Sequence, residues 1–463
     1  MTGTRLGSAT DTWNYNGFAE PTSYAAAFGG TTIFAQQFTR DKLGRISQKT
    51  ETVGGVTDSF VYSYDVAGRL TDVAQNGPII ASYTYDSNGN RLSITRPGGT
   101  INGSYDDQDR LLQYGAATYA YTANGELQSK TVGGQTTTYE YDALGNLMAV
   151  TLPSGTQIIY LVDGNNRRIG KQVNGTLTQG FLYQDGLKPV AELDGSNDVV
   201  SRFVYATRTN VPEYMIKGGV TYRIITDHLG SPRLVINAST GAIAQRIDYD
   251  EFGNTTLDTN PSFQPFGFAG GLYDRDTQLV RFGLRDYDPQ TGRWTAKDPI
   301  LFAGGDVNLF GYVLNDPVNQ TDPIGFQPQL NLFGKANEKA LANNIPSEPN
   351  VFIVAGHANP ERFAGLTPKQ LWDKIRTSPQ WKPGMKVELV GCRAGKGPGS
   401  FAEKLATDFA GDVLASDEFI HPHASGEITM SATRTGPEVP VKWKEFKVDV
   451  PLGGKEPVEI TLP

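Results

Sequence analysis

Two groups of residues in this chain have the types and spacing for covalent chemistry. The only cysteine, Cys392, follows the apolar run Val387-Glu388-Leu389-Val390 and a glycine, and His357 follows Val351-Phe352-Ile353-Val354-Ala355 and another glycine. A thiol attacks a carbonyl as its thiolate, and an imidazole at the neighbouring strand end is the simplest base for making one. Backbone amides of Cys392 and of Ala358 could then hold the oxyanion, with glycines 356 and 391 allowing the sharp turns that bring them close. Taken singly, each residue has a plainer reading: a lone cysteine is commonly a small buried apolar group, and a histidine after a strand is an ordinary turn residue. Their placement at successive strand ends favours catalysis. His421 and His423, around Pro422, offer a rival base or half a metal site, but one cysteine and no nearby acidic cluster make a closed zinc site weak, and no cofactor is expected.

The second group is acidic. Asp286 and Asp298 lie twelve residues apart, a spacing that lets a hairpin around Gly292 return one toward the other. Two carboxylates held close share a proton, so one acts as the acid while the other activates water toward a peptide carbonyl. Arg285 would orient one of them. The plainer reading is that these aspartates shape turns, since Asp288, Asp316 and Asp322 each precede proline.

The elements that must position the thiol and imidazole read as β then α then β. A helix is expected from Pro368 to Thr377 after Thr367, with Leu371, Trp372 and Ile375 on its apolar face. Beyond Cys392 come a glycine loop from Gly395 to Gly399, a helix capped by Ser400 and a third strand, Val413-Leu414-Ala415. Such alternation implies a largely parallel sheet with helices on its faces, where reactive groups collect beyond the carboxyl ends of the strands.

Upstream the chain is different. Its 43 tyrosines and phenylalanines and 53 glycines favour short strands joined by tight turns. A unit of aromatic-x-aromatic-Asp, a turn and Gly-Arg/Asn-Leu recurs with drift: Tyr62-Ser63-Tyr64-Asp65 leads to Gly68-Arg69-Leu70, and Tyr83-Thr84-Tyr85-Asp86 to Gly89-Asn90-Arg91-Leu92. Further copies centre on Tyr105-Asp106, Tyr121-Thr122 and Tyr139-Glu140-Tyr141-Asp142. Asp65, Asp86 and Asp106 are 21 and 20 residues apart, which suits one β-hairpin per unit, with Asn88-Gly89 and Asn124-Gly125 supplying positive φ at the turns. A lone hairpin is marginal in water, so the units must join into a continuous sheet.

Charge divides the chain too. Of the net −8, residues 327–463 contribute nothing, with 16 Lys+Arg against 16 Asp+Glu. A neutral segment without basic clusters argues against a nucleic-acid partner, whose affinity would come mainly from neutralised phosphates. No apolar run approaches the roughly 18 to 20 residues of a membrane span, Met1-Thr2-Gly3 does not begin a signal peptide, and one cysteine excludes an intrachain disulfide framework.

The repeats resemble the YD repeats of the Rhs family. Tyr222 with Thr226-Asp227-His228-Leu229-Gly230-Ser231-Pro232, and the block running through Arg285-Asp286-Tyr287-Asp288-Pro289, Gly292-Arg293-Trp294 and Asp322-Pro323-Ile324-Gly325-Phe326, are similar to that family's signatures. The resemblance implies an all-β shell, a spiralling sheet of hairpins over residues 1–265, a core-associated block over 266–326 and a variable toxin over 327–463, with His228 a structural turn residue. Family shells that enclose a toxin are usually much longer, so this one is expected to be part of a larger shell or to cover its tail only partly. The resemblance also assigns self-cleavage to Arg285, Asp286 and Asp298 and puts the scissile bond at Phe326–Gln327.

The tail resembles the caspase-like cysteine peptidases over about 350–420, whose self-processing members carry a Val-Gly-Cys like Val390-Gly391-Cys392. That implies a small α/β toxin domain and places Asp417 in the primary specificity pocket, although Ala358 stands where most of the group have glycine. The expected function is thus a secreted or injected toxin whose freed protease acts on proteins in a target-cell cytoplasm. Its expected partners are a protein substrate, a cognate immunity protein and a secretion apparatus or toxin-complex subunits. Other chemistry in the tail, such as a nuclease, and a noncatalytic adhesion module are the alternatives.

Overall fold

The computed structural model describes residues 2–299 apart from 18, 19 and 209, then 301 and 306–325, and beyond these mainly the strand and helix segments named below. Two compact units are present, one comprising chiefly Met1–Gln327 and the other most of the chain from Pro328.

The first unit is dominated by a 25-stranded sheet running from β1 (Gly3–Leu6) to β25 (Thr255–Asp258). It is a meander: each strand pairs antiparallel with the next, as β6 (Val56–Tyr64) does with β7 (Leu70–Gln75), and β7 with β8 (Ile79–Tyr85). The repeat signature explains the hairpins residue by residue. Asp65 ends β6, and its Oδ1 accepts the backbone N–H groups of Ala67 and Arg69, both at 2.9 Å, while Oδ2 accepts Arg69 Nε at 2.7 Å. Asp86 repeats the device with Asn88 and Asn90. Gly89 closes its turn at φ 83°, a conformation that suits glycine. The tyrosine before each aspartate ties one hairpin to the preceding one: Tyr85 Oη donates to the Leu70 carbonyl at 2.7 Å, and Tyr105 Oη to that of Arg91 at 2.9 Å. Inward-facing Tyr62, Leu70, Val73, Tyr83, Ile94 and Leu111 form the continuous core that single hairpins lack.

The sheet curls back on itself. Arg223 on β22 (Val220–Thr226) reaches Asp11 on β2 (Ala9–Tyr15) at 2.5 Å, Arg233 on β23 (Pro232–Asn237) reaches Glu51 on β5 (Ile46–Val53) at 2.7 Å, and Tyr24, Phe34, Ile225 and Leu234 share one core cluster. His228 sits, half-buried, in the Asp227–Ser231 turn, its ring 4.9 Å from Phe38 and its Nε2 2.8 Å from the Val318 carbonyl oxygen. Burial holds its pKa down to about 4, so it remains a neutral packing residue at neutral pH.

After the meander, β26 (Leu272–Asp274), β27 (Leu279–Phe282), β28 (Arg285–Asp288) and β29 (Arg293–Trp294) make a small antiparallel sheet. Its core is aromatic: Phe268, Phe282, Tyr287, Trp294 and Tyr312 pack together, with the Tyr287 and Tyr312 centroids 4.3 Å apart.

In the second unit, β30 (Leu330–Asn331), β31 (Val351–Ala355), β32 (Lys386–Val390) and β33 (Val413–Ala415) pair in parallel, and β37 (Lys444–Phe446) joins β33 antiparallel. A helix, α1 (Pro368–Arg376), intervenes between β31 and β32, burying Leu371 and Ile375. Thr367 begins it as a capping residue, its Oγ1 accepting the Gln370 N–H while the Gln370 side chain accepts the Thr367 N–H, the reciprocal capping box. A separate three-stranded antiparallel sheet contains β34 (Phe419–Pro422), β35 (Ile428–Ser431) and β36 (Val439–Pro440), with His421 in β34.

Candidate active site

β28 carries the acidic group's residues on opposite faces, as neighbouring strand positions must. Asp286, whose side chain is 1 % exposed, points to one side and accepts from two guanidiniums. Arg168 Nη2, from β17 (Arg168–Val173), donates to both of its oxygens at 3.0 and 3.1 Å, and Arg281 Nη1, from the facing position on β27, donates at 2.9 Å. Arg168 is held in turn 3.6 Å over the Tyr160 ring, and Arg281 donates to Asn146 Oδ1 at 2.8 Å. Arg285 points the other way. Its Nη2 lies 2.8 Å from Asp298 Oδ2 and 3.3 Å from Asp322 Oδ2, and its guanidinium sits 4.1 Å over Trp294.

The turn around Gly292 does return the chain, but Asp298 is delivered to Arg285, while Asp286 is committed to two other arginines. A buried carboxylate costs several kcal/mol to desolvate unless it is paired, and each of these has its own cation.

The segment leading to residue 326 lies against the same strand. The Leu284 N–H donates to the Ile324 carbonyl at 3.3 Å, and Asp322 Oδ1 accepts the Gly325 N–H at 2.9 Å. Two glycines permit the approach. Gly283 (φ 45°) has Ile324 backbone where a Cβ would come within 2.5 Å, and at Gly325 (φ 78°) a Cβ would stand 2.8 Å from the Phe282 carbonyl oxygen. Arg285, Asp298 and Asp322 also border a cavity of about 20 Å³ together with Asp306 and Asn308, enough for roughly one water molecule. Phe326 and Gln327 lie outside the described residues, as do His357, Ala358, Cys392, Asp417 and His423. What is described of the second group is the strand pair that precedes it: β31 and β32 are parallel neighbours, with Ala355 opposite Val390.

Residue types alone did not reveal Arg168, Arg281 or Asp306 as members of this region. Arg168 is 118 positions from Asp286, and no local pattern marks that pairing. Asp322 was visible as the start of Asp322-Pro323-Ile324-Gly325, but its contact with Arg285 was not.

Comparison with known proteins identifies two segments. Residues 3–318 match the family described as Teneurin YD-shell, and residues 328–430 match a domain of unknown function. Mouse teneurin-4 is 30 % identical over 354 residues, covering 73 % of this chain and 13 % of that protein. The tRNA3(Ser)-specific nuclease WapA of Bacillus spizizenii is 30 % identical over 275 residues, covering 57 % of this chain and 12 % of the relative. The chain therefore spans about an eighth of the length of these relatives. Among solved structures, a Photorhabdus luminescens Tc holotoxin pore aligns over 69 % of this chain and 20 % of that one, at 15 % identity and a TM-score of 0.41. A TcdB2-TccC3 crystal structure aligns over 69 % and 22 %, at 16 % identity and a TM-score of 0.34.

Proposed function

We propose a function from one premise, that this chain belongs to the Teneurin YD-shell family: it is the shell end of an Rhs-type toxin that cuts itself after Phe326 and frees a cysteine peptidase. The observation that carries the cut is the docking of Asp322–Gly325 onto β28, which brings the peptide up to one residue short of Phe326 beside Arg285 and Asp298. Asp298, oriented by Arg285, is the base that activates water toward the Phe326 carbonyl. Asp286 anchors β28 through Arg168 and Arg281 and so positions Arg285. A tethered substrate needs modest chemical help, since intramolecularity can supply an effective molarity of roughly 10⁵ M.

The freed module acts through Cys392 as nucleophile and His357 as base. Supporting this is the register of β31 and β32: Ala355 opposes Val390, so residues 357 and 392 each follow two positions beyond paired strand ends. Its substrate is a protein of a target cell, it is delivered by a secretion apparatus or as a toxin-complex subunit, and an immunity protein protects the producer. A nuclease module is the second reading, favoured by the nuclease WapA among the relatives and opposed by the balance of 16 basic and 16 acidic residues after Phe326.

Intact-mass measurement of the purified chain tests the cut: a fragment beginning at Gln327 is expected from the parent and none from Asp298→Asn. Growth of bacteria expressing the parent or Cys392→Ala tests the module. The substitution is expected to abolish toxicity, and equal toxicity with DNA or RNA degradation would establish the nuclease reading instead.

A further inference from the structure

We propose that a second cavity in the first unit binds a small organic cation through a primary ammonium group, with Glu192 and Gln245 as the acceptors. The cavity measures about 200 Å³, against about 20 Å³ beside Arg285, and is lined in part by β18 (Thr176–Tyr183), β19 (Pro189–Leu193) and β24 (Ile243–Tyr249). Its wall includes Ser262, Arg275 and Asp276, which are exposed and give it an opening to the surface. Two buried acceptors in the wall are left without partners. Glu192, 8 % exposed, accepts the Gln179 Nε2 group on Oε1 at 2.7 Å, while its Oε2 has no hydrogen bond. Gln245, 1 % exposed, donates from Nε2 to Asp258 Oδ1 at 2.9 Å and to the Asn260 carbonyl at 3.1 Å. That carbonyl can only accept, which fixes the orientation of the amide and leaves Gln245 Oε1 unpartnered.

A buried acceptor without a donor is costly, and a buried carboxylate without a cation more so. The cations in the wall are already engaged: Arg168 with Asp286, and Lys171 with Asp274 at 2.8 Å and Asp276 at 2.6 Å. Arg275 is exposed at the opening, and among the described residues no lysine or arginine pairs with Glu192. An ammonium group answers both needs, since it brings three N–H donors and a charge to set against the carboxylate. Phe181, Phe266 and Tyr249 line the same space, and aromatic faces attract cations. A metal ion fits less well, because among the described residues no three His, Cys, Asp or Glu side chains are grouped to hold one. A neutral polyol would use the unpartnered Arg168 Nε as well, but it would leave the Glu192 charge unbalanced. Each of β19 and β24 pairs only with its neighbours in the chain, so a ligand that donates to both joins separate parts of the meander and stabilises the fold.

The test uses full-length chain at neutral pH and constant ionic strength, with butylammonium chloride as the probe and titration calorimetry and thermal unfolding as the readouts. Butylammonium is expected to bind saturably and to raise the unfolding midpoint. Tetramethylammonium, a cation without N–H groups, and methyl glucoside, a neutral polyol, are expected to bind roughly tenfold more weakly. No saturable binding of butylammonium overturns the proposal. Equal affinity for tetramethylammonium overturns it as well, and tighter binding of the glucoside makes this a polyol site instead. Glu192→Gln keeps an acceptor for Gln179 and should weaken butylammonium roughly tenfold, so an unchanged affinity in that variant removes Glu192 and the proposal with it. Should Glu192→Gln fail to refold, the three ligands compared on the parent decide alone.

Discussion

The meander and the block that follows it both pair aspartate with arginine, yet the pairs have different origins and different consequences. In the meander, Asp65 and Arg69 or Asp106 and Arg110 are four residues apart, partly exposed, and close a turn whose backbone they also cap. In the block, Asp286 meets Arg168 from 118 residues away, and the Arg285–Asp298 pair is almost fully buried. A local pair forms as its turn forms and is screened by water, so it contributes little beyond the turn. A buried long-range pair exists only once the fold is complete, and removing one partner strands a charge. The repeats thus tolerate drift in sequence, while the block concentrates its demands on a few residues.

The sharpest way to break this comparison is Asp298→Asn, expected to turn the two bands of the parent into one on a denaturing gel. Two bands from the variant would make the block a structural junction like the turns. Next in size, Asp286→Ala should lower unfolding stability by about 3–5 kcal/mol in urea, because it leaves Arg168 and Arg281 uncompensated in the interior. A loss below about 1 kcal/mol would show that water reaches these arginines. Asp65→Ala should cost only about 1 kcal/mol in the same assay, the scale of a capped turn with its partly solvated pair.

The smallest effects concern pH and carry opposite signs in the two regions. Burial raises the Asp65 carboxyl, but the hydrogen bonds of Arg69 and Ala67 outweigh it and leave the pKa below the usual carboxylate value. A lowered carboxyl pKa contributes stability that is present above about pH 4 and lost as pH falls through the folded value. Asp65→Asn should therefore be destabilised at pH 7, with its difference from the parent shrinking as pH falls below about 4. Burial raises Asp316 to about 6 against the hydrogen bonds of Asn319 and Gln320, so its contribution is present below about pH 4 and lost as pH rises through 6. Asp316→Asn should gain on the parent in urea midpoint between pH 5 and pH 7, and a constant difference would place that carboxyl in water.

Much of the meander was legible because its causes are local. The aromatic pair, the aspartate and the glycine of each unit act within one hairpin, so Tyr83, Tyr85, Asp86 and Gly89 can be given their roles from sequence. The strands around Val351 and Val387 were legible for the same reason, as short apolar runs bounded by glycine. The acidic site was legible only as a set of candidates. Sequence put Asp298 twelve residues from Asp286 and showed a turn between them, but it could not say on which face of β28 each carboxylate would find its cation.

What the chain's order of residues determined by itself was a repeating hairpin code, a change of character after Phe326 and the identities of the groups able to do chemistry. What only tertiary structure decided was their company: Arg168 for Asp286, Asp298 and Asp322 for Arg285, and Asp306 beside the same cavity. The reason is physical. Hydrogen bonds within a turn depend on a few dihedral angles of neighbouring residues, whereas the partner of a buried charge is whichever group the closed sheet brings within about 3 Å, and that depends on the register of every strand between them.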